Sequence, residues 1–181
     1  MECIESVWNS LTDCVGLKAI PSLLDLVPGK HDFVLDIPCY SQTDTYSCGA
    51  IAAWSVVETF KPRANFWKFY QAVQPDPETG STDRQVLSAL RKFKIGYRVR
   101  RNLGWPDLVK AIDDGFPMLI GTGKENSTGD HWSLLYGYGT RHRKVYLANQ
   151  IGVLRNQIRV EWGEVLATWW NPVGMAIVCW G

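Results

Sequence analysis

The sequence predicts an α+β domain, a helical first part followed by an antiparallel sheet. Three observations predict it. Residues 48–60 are apolar on nearly every face until Glu58, the composition of a buried helix. Thr82 and Gln85 form a capping box ahead of the stripe Val86, Leu87, Leu90 and Phe93. Beyond Gly115 the pattern turns to short β-rich runs: 118–121, 131–138, 144–150, 157–160 and 173–180. Helices first and strands second is an α+β order.

In chain order, residues 1–30 read as helical pieces, with Val7, Trp8 and Leu11 on one stripe and Leu23, Leu24 and Val27 on another. Pro21 and Pro28-Gly29 break them, and we assign 1–34 as an N-terminal helical extension to a domain spanning 35–181. Phe33 to Ile37 is a short extended entry closed by Pro38. The buried helix follows at 48–60, and Asn65 to Val73 forms another that Pro75 and Pro77 end. After the capped helix, Pro106 opens a short one with Leu108, Ala111 and Ile112 on one side, stopped by Gly115. Trp162, Val165, Leu166 and Trp169 are spaced for one helix among the strands. The expected arrangement sets helices from 48–114 against a sheet from 117–180.

Composition narrows the function. The chain has 181 residues, 46% of them hydrophobic, and a formal net charge of +1. That sum lacks the basic excess of a nucleic-acid or membrane-surface protein, so no nucleic-acid partner is expected. The charge is nonetheless divided, with six basic and eleven acidic side chains in residues 1–90 and thirteen and seven in 91–181. If the two parts face each other across a cleft, they would steer a charged substrate. No secretory signal or membrane-spanning run is visible, which gives a cytoplasmic expectation. Five cysteines, an odd number without CxxC spacing, suggest neither a zinc ribbon nor a complete disulfide framework, and no metal or cofactor is expected. Gly121-Thr122-Gly123-Lys124 is too short for a phosphate-binding loop. Arg91, Lys92, Lys94, Arg98, Arg100 and Arg101 cluster around Tyr97, for which a solvated face or an acidic-peptide contact is the ordinary explanation. Among nine tryptophans, Trp54, Trp132, Trp169 and Trp180 are assigned to the core or cleft lining, and Trp67 and Trp105 are candidates for a binding surface.

Four residues can carry chemistry together. Cys48 sits where the buried helix begins, and the amides and dipole of a helix N-terminus favour a thiolate. Gly49 leaves room for a substrate backbone. By itself, a Cys before an apolar helix is more often a packed small hydrophobe. His131 starts a strand that puts His131, Ser133 and Leu135 on one face and Trp132, Leu134 and Tyr136 on the other. It is a better base for Cys48 than His31, outside the main pattern, or His142, in a charged turn. Asn149 closes the next strand on the face of Val145 and Leu147, where its carboxamide can orient the imidazole, although a turn-forming Asn is the commoner role. Gln42, six positions before Cys48, can donate to an oxyanion beside the Cys48 amide.

Gln42-x5-Cys48, a helix from the Cys, a Gly-x-His strand and an Asn on the next strand resemble the papain-like cysteine peptidases. The chain is more closely similar to the bacteriocin-leader peptidase-like family, whose members typically read Pro-x-Tyr-x-Gln before a Cys-Gly helix. The words here are Pro38-Cys39-Tyr40-Ser41-Gln42 and Cys48-Gly49-Ala50. Asp114-Gly115-Phe116-Pro117 before a strand, His131-Trp132 running into Tyr136-Gly137-Tyr138, and Trp162-Gly163-Glu164-Val165 extend the likeness over about 35–180. The resemblance implies a papain-like fold, with a helical half holding the Cys helix and an antiparallel sheet half. It also implies a Cys48–His131–Asn149 triad with Gln42 at the oxyanion, acting on a peptide or protein substrate. Many relatives carry Asp-Pro at the third site, where this chain has Asn149-Gln150, and Cys-Gly-Ala replaces the commoner Cys-Gly-Pro. The same constellation serves a cysteine peptidase, a Cys–His acyltransferase or deamidase acting on a protein, and a catalytically silent binding module of the same fold. Oligomeric state is not legible in the sequence.

Overall fold

The computed structural model describes residues 32–101, 103–122, 131–148, 157–163, 165 and 176–181. The proposed helical extension lies outside them up to His31, as do the Trp169 end of the 162–169 helix and Asn149. Asp32–Val34 (β1), which falls at the end of that extension, pairs antiparallel with the strand His131–Gly139 and therefore belongs to the sheet.

Three helices precede the sheet's main run: Cys48–Phe60 (α1), Phe66–Val73 (α2) and Asp83–Lys92 (α3). The last two are capped locally, whereas Ser47 at the head of α1 makes no side-chain cap. Asn65 accepts from the Lys68 amide at the head of α2. At α3 the expected box forms in both directions: the Gln85 amide donates to Thr82 Oγ1 at 3.4 Å, and the Thr82 amide donates to Gln85 Oε1 at 2.8 Å. The fourth helix, Trp105–Asp113 (α4), carries Pro106 in its first turn, and the Gly104 amide donates to Asp107 at 3.1 Å.

The remaining strands are Gly96–Arg100 (β2), Met118–Thr122 (β3), His131–Gly139 (β4), Lys144–Ala148 (β5), Gln157–Glu161 (β6) and Ala176–Trp180 (β7). They form one antiparallel sheet in the order β2-β7-β3-β4-β5-β6, with β1 also paired to β4. The α+β class holds: among the described residues, these four helices stand with a seven-stranded antiparallel sheet.

Two details differ from expectation. Residues 96–100 are an edge strand rather than only a basic cluster, because Tyr97 and Val99 alternate with Arg98 and Arg100. Nor do all helices lie on one side. One core gathers α1, α2 and α3 with Trp132, Leu134 and Tyr136 of β4. A second core, on the other face, gathers Leu108, Ala111 and Ile112 of α4 with Met118, Ile120, Leu135 and Leu147. The apolar side of α4 fits that second face, so the sheet is covered on both sides. The predicted alternation along β4 is followed to Tyr136. There the register with β5 shifts between Leu135 and Gly137, a bulge that turns Tyr138 into the second core.

Candidate active site

The site is built where α1 begins. Asp44 folds the approach: its Oδ1 accepts from the amides of Tyr46 at 3.0 Å and Ser47 at 2.7 Å, an Asx turn that delivers the chain to Cys48. Its carbonyl accepts from Gln42 Nε2 at 2.6 Å. Asp44 thus organises the whole Gln42–Cys48 loop. The sequence carried a signal for it, an Asp followed by two chain positions whose amides it can reach, but no chemistry marked it out.

Cys48 is the first residue of α1 and is buried, 4% exposed. Its sulfur lies within hydrogen-bonding reach of the backbone of Trp132, as well as the backbone of Gly49 and its own. The Trp132 amide is the one that joins it to His131, so the head of the helix meets the first peptide unit of β4. Cys48 and His131, 83 residues apart in the chain, are brought to the same corner of the molecule. Nδ1 of His131 is shielded from solvent there. Burial pushes the Cys48 thiol up from its ordinary value; the Trp132, Gly49 and Cys48 amides pull it down, and the nearby Asp44 charge pushes it up again. Burial is the largest of these effects, and the net direction is upward. The helix-head amides act in the direction expected, and desolvation of the sulfur opposes them.

Gly49 also differs from its expected role. A Cβ there would stand 2.7 Å from Ser81 Cβ, 3.0 Å from Trp132 Cδ1 and 3.1 Å from Val86 Cγ2. The room left by the missing side chain is occupied by the protein's own packing and not by a substrate. Trp132 is fixed in that packing by its indole N–H, which donates to the Ser81 carbonyl at 2.9 Å. Ser81 was not singled out in the sequence, since nothing local connects it with a strand 51 residues later.

Gln42 stands in the loop with one amide N–H committed to Asp44, while its Oε1 is buried without a hydrogen-bond partner among the described residues. A primary amide has two N–H donors, so one remains. Asn149 lies outside the described residues; β5 ends one residue before it, at Ala148. His142 is exposed in the turn after β4 with a φ of 66°, remote in role from this corner, and His31 lies outside the described residues. No group of three or more His, Cys, Asp or Glu that could hold a metal occurs among the described residues. Of the tryptophans, Trp54 and Trp132 are core residues, Trp105 packs on Tyr138 and Trp162, and Trp67 is 67% exposed. No described helix is long and apolar enough to cross a membrane.

Comparison with known proteins bears on this geometry. The model of the Peptidase_C39 like family matches residues 34–175. Curated sequences give no match. Among solved structures, the chain is similar to the peptidase domain of Streptococcus ComA, a bi-functional ABC transporter involved in quorum sensing. The two are 16% identical over 78% of this chain and 96% of that one, with a TM-score of 0.60. It is also similar to a double glycine motif protease from an AMS/PCAT transporter, solved in complex with the leader peptide, with 17% identity over 81% and 92% and a TM-score of 0.62. A C39-like peptidase from Bacillus anthracis gives 12% identity over 83% and 98%, with a TM-score of 0.65. At these identities the structural likenesses establish the fold.

Proposed function

Since the chain belongs to the Peptidase_C39 like family and has the papain-like cysteine peptidase fold of its structural neighbours, we propose that it hydrolyses a peptide or isopeptide bond with Cys48 as nucleophile. The observation that carries this reading is the contact between the Cys48 sulfur and the backbone of Trp132, next to His131. His131 is the general base. It takes the thiol proton as the sulfur attacks the carbonyl carbon, so charge forms on the sulfur only when substrate is in place. The Cys48 amide and the second N–H of Gln42 receive the oxyanion. His131 then gives its proton to the leaving amine as the C–N bond breaks, leaving a thioester. Water adds to the thioester with His131 again as base, and the acid and thiol are released. Asn149 orients the imidazole in this scheme. The substrate is a peptide or protein; the leader peptide bound to the double glycine protease is an example from a neighbour of this fold.

The test is peptide-library profiling with the wild-type chain and two variants. Cys48→Ala is expected to abolish turnover and thioester trapping, and Gln42→Ala to lower kcat/KM roughly 10²–10³-fold. Full hydrolysis by Cys48→Ala on any substrate found would sink the mechanism. A second reading is a silent peptide-binding module of the same fold. The raised Cys48 thiol and the engagement of Gln42 with Asp44 favour it. A library in which peptides bind but none is cleaved selects that reading. Transfer of the acyl group to an added amine, or release of ammonia from glutamine peptides, selects the acyltransferase or deamidase form of the same chemistry.

A further inference from the structure

The face of the sheet opposite α1 is only partly covered. α4 spans nine residues and packs over the middle strands, while β2 lies at the sheet's end. Between α4 and β2 an open cavity of about 330 Å³ remains. Its floor is apolar: Trp180, Val178 and Phe116, with Leu103 and Ala111 on the α4 side. The Trp180 indole lies directly over Gly96, where a Cβ would come within 2.1 Å of its Nε1, so Gly96 is required for the ring to lie flat across β2. Phe116 packs against the same ring at 5.9 Å.

The wall over this floor is cationic. Arg98 and Arg100 share one face of β2, opposite Val178 and Ala176, about 7 Å apart along the strand. Both are exposed, and neither has an ion pair or side-chain hydrogen bond among the described residues. On the helical side the one cation is paired, while the Asp107 carboxylate keeps its negative charge and is outnumbered by the two arginines. Lys110 pairs with Asp114 at 2.9 Å, and Asp107 accepts from the Gly104 amide. Two unspent guanidinium groups therefore border an aromatic floor in a cavity of small-ligand size.

We propose that the cavity between β2 and α4 binds an amphipathic carboxylate, its aromatic or branched apolar body on Trp180 and Phe116 and its carboxylate on Arg98 and Arg100. Guanidinium groups bind carboxylates through paired N–H donors, and an aromatic floor rewards an apolar body at no polar cost. Such a group is supplied by a free aryl or branched alkyl acid, or by the C-terminus of a peptide ending in a large apolar residue. The site lies on the sheet face away from the Cys48 helix and does not rest on the peptidase reading.

The test follows the Trp180 indole N–H of the labelled full chain by NMR, assigned by its loss in Trp180→Phe. 3-Phenylpropionate and acetyl-Gly-Phe are titrated as free acids, and 3-phenylpropionamide serves as the uncharged control. We expect the resonance to shift with a Kd of about millimolar for at least one acid, as ligand size implies, and with weaker binding at higher salt. The double variant Arg98→Gln/Arg100→Gln should weaken binding about tenfold or more, and its melting temperature checks that the fold is kept. A response to 3-phenylpropionate alone identifies a free acid as the ligand, and one to acetyl-Gly-Phe alone a peptide terminus. No shift with either acid, equal affinity for the amide, or undiminished binding by the double variant would overturn the proposal.

Discussion

At Cys48 two opposing effects act on one atom, and their balance decides how the thiol is activated. Burial raises its pKa and outweighs the three amides that lower it. A preformed thiolate–imidazolium pair would react with alkylating agents well below neutral pH. The raised thiol instead predicts slow alkylation at pH 7, with a rate that climbs above the ordinary cysteine range. Iodoacetamide labelling of Cys48, followed by mass spectrometry from pH 5 to 10, checks this; a plateau on the acid side would contradict it. The sign for stability is the same. A pKa raised on folding favours the protonated native state, so this group's contribution holds below the unfolded thiol's pKa and is lost as pH rises through the folded one. Gly49 is the second residue on which the corner depends. Ala favours a helix over Gly by up to about 1 kcal/mol, and less so in the first turn. Against it stands a 2.7 Å approach to Ser81 Cβ, which is anchored directly to backbone and cannot swing away. Overpacking of this kind costs about 1–3 kcal/mol, so Gly49→Ala should lower the denaturation midpoint. It should also reduce activity, by shifting Trp132 and with it the amide beside Cys48.

Among the elements, those with complete local signals were legible and those defined by their neighbours were not. The capping box of Thr82 and Gln85 and the all-round apolar run of α1 each specify a helix without outside help. β2 hid because its outward positions are arginines, so its two alternating apolar residues read as incidental to a charge cluster. The face on which α4 packs is a tertiary choice: its stripe shows that one side is buried, not which side of the sheet buries it. The site divides in the same way. Cys48, His131, Asn149 and Gln42 are candidates by residue type and order. Asp44, which holds the loop through its carboxylate and its carbonyl, and Ser81, which holds Trp132 through its carbonyl, bond to backbone, carboxamide or indole N–H groups that no sequence pattern displays. β1 depends on a similar unadvertised contact. A Cβ on Gly137 would stand 2.9 Å from the Phe33 carbonyl and 3.1 Å from Val34 Cα, both backbone atoms. Gly137→Ala should therefore separate β1 from β4 and cost roughly 1–3 kcal/mol. Hydrogen exchange reads this locally: the Leu35 amide, bonded to the Tyr136 carbonyl at 2.9 Å, should lose protection while α3 keeps its own. Unchanged protection at Leu35 would show that β1 tolerates the added carbon.

Across the whole molecule, one polar cluster closes the chain on itself. Asp32 of β1 accepts from Tyr146 Oη at 2.5 Å and from Arg159 Nη1 at 3.2 Å, joining residues 114 and 127 positions apart. The Asp32 and Arg159 side chains are only 8% and 18% exposed, so the pair is largely out of water. The Arg159 guanidinium also stands 6.0 Å from the Tyr146 ring centre, and burial, with the bond to Asp32, raises the Tyr146 hydroxyl pKa. An ion pair placed so deeply adds little net stability over a well-packed apolar pair, yet losing one partner strands the other at about 3 kcal/mol. Asp32→Asn should therefore be destabilising by up to about that amount, through loss of the Asp32 charge beside the Arg159 guanidinium. Arg159→Met in the Asp32→Asn background should recover part of the loss, since the stranded charge is then gone. Chemical denaturation of the wild type, the two single variants and the double variant measures this coupling. Losses that simply add would mean that the cluster is three independent contacts; coupling of 1 kcal/mol or more, in line with that of contacting residues, would mean that β1, β5 and β6 are held as one unit, with the first described strand of the chain locked onto strands that follow the candidate site in sequence.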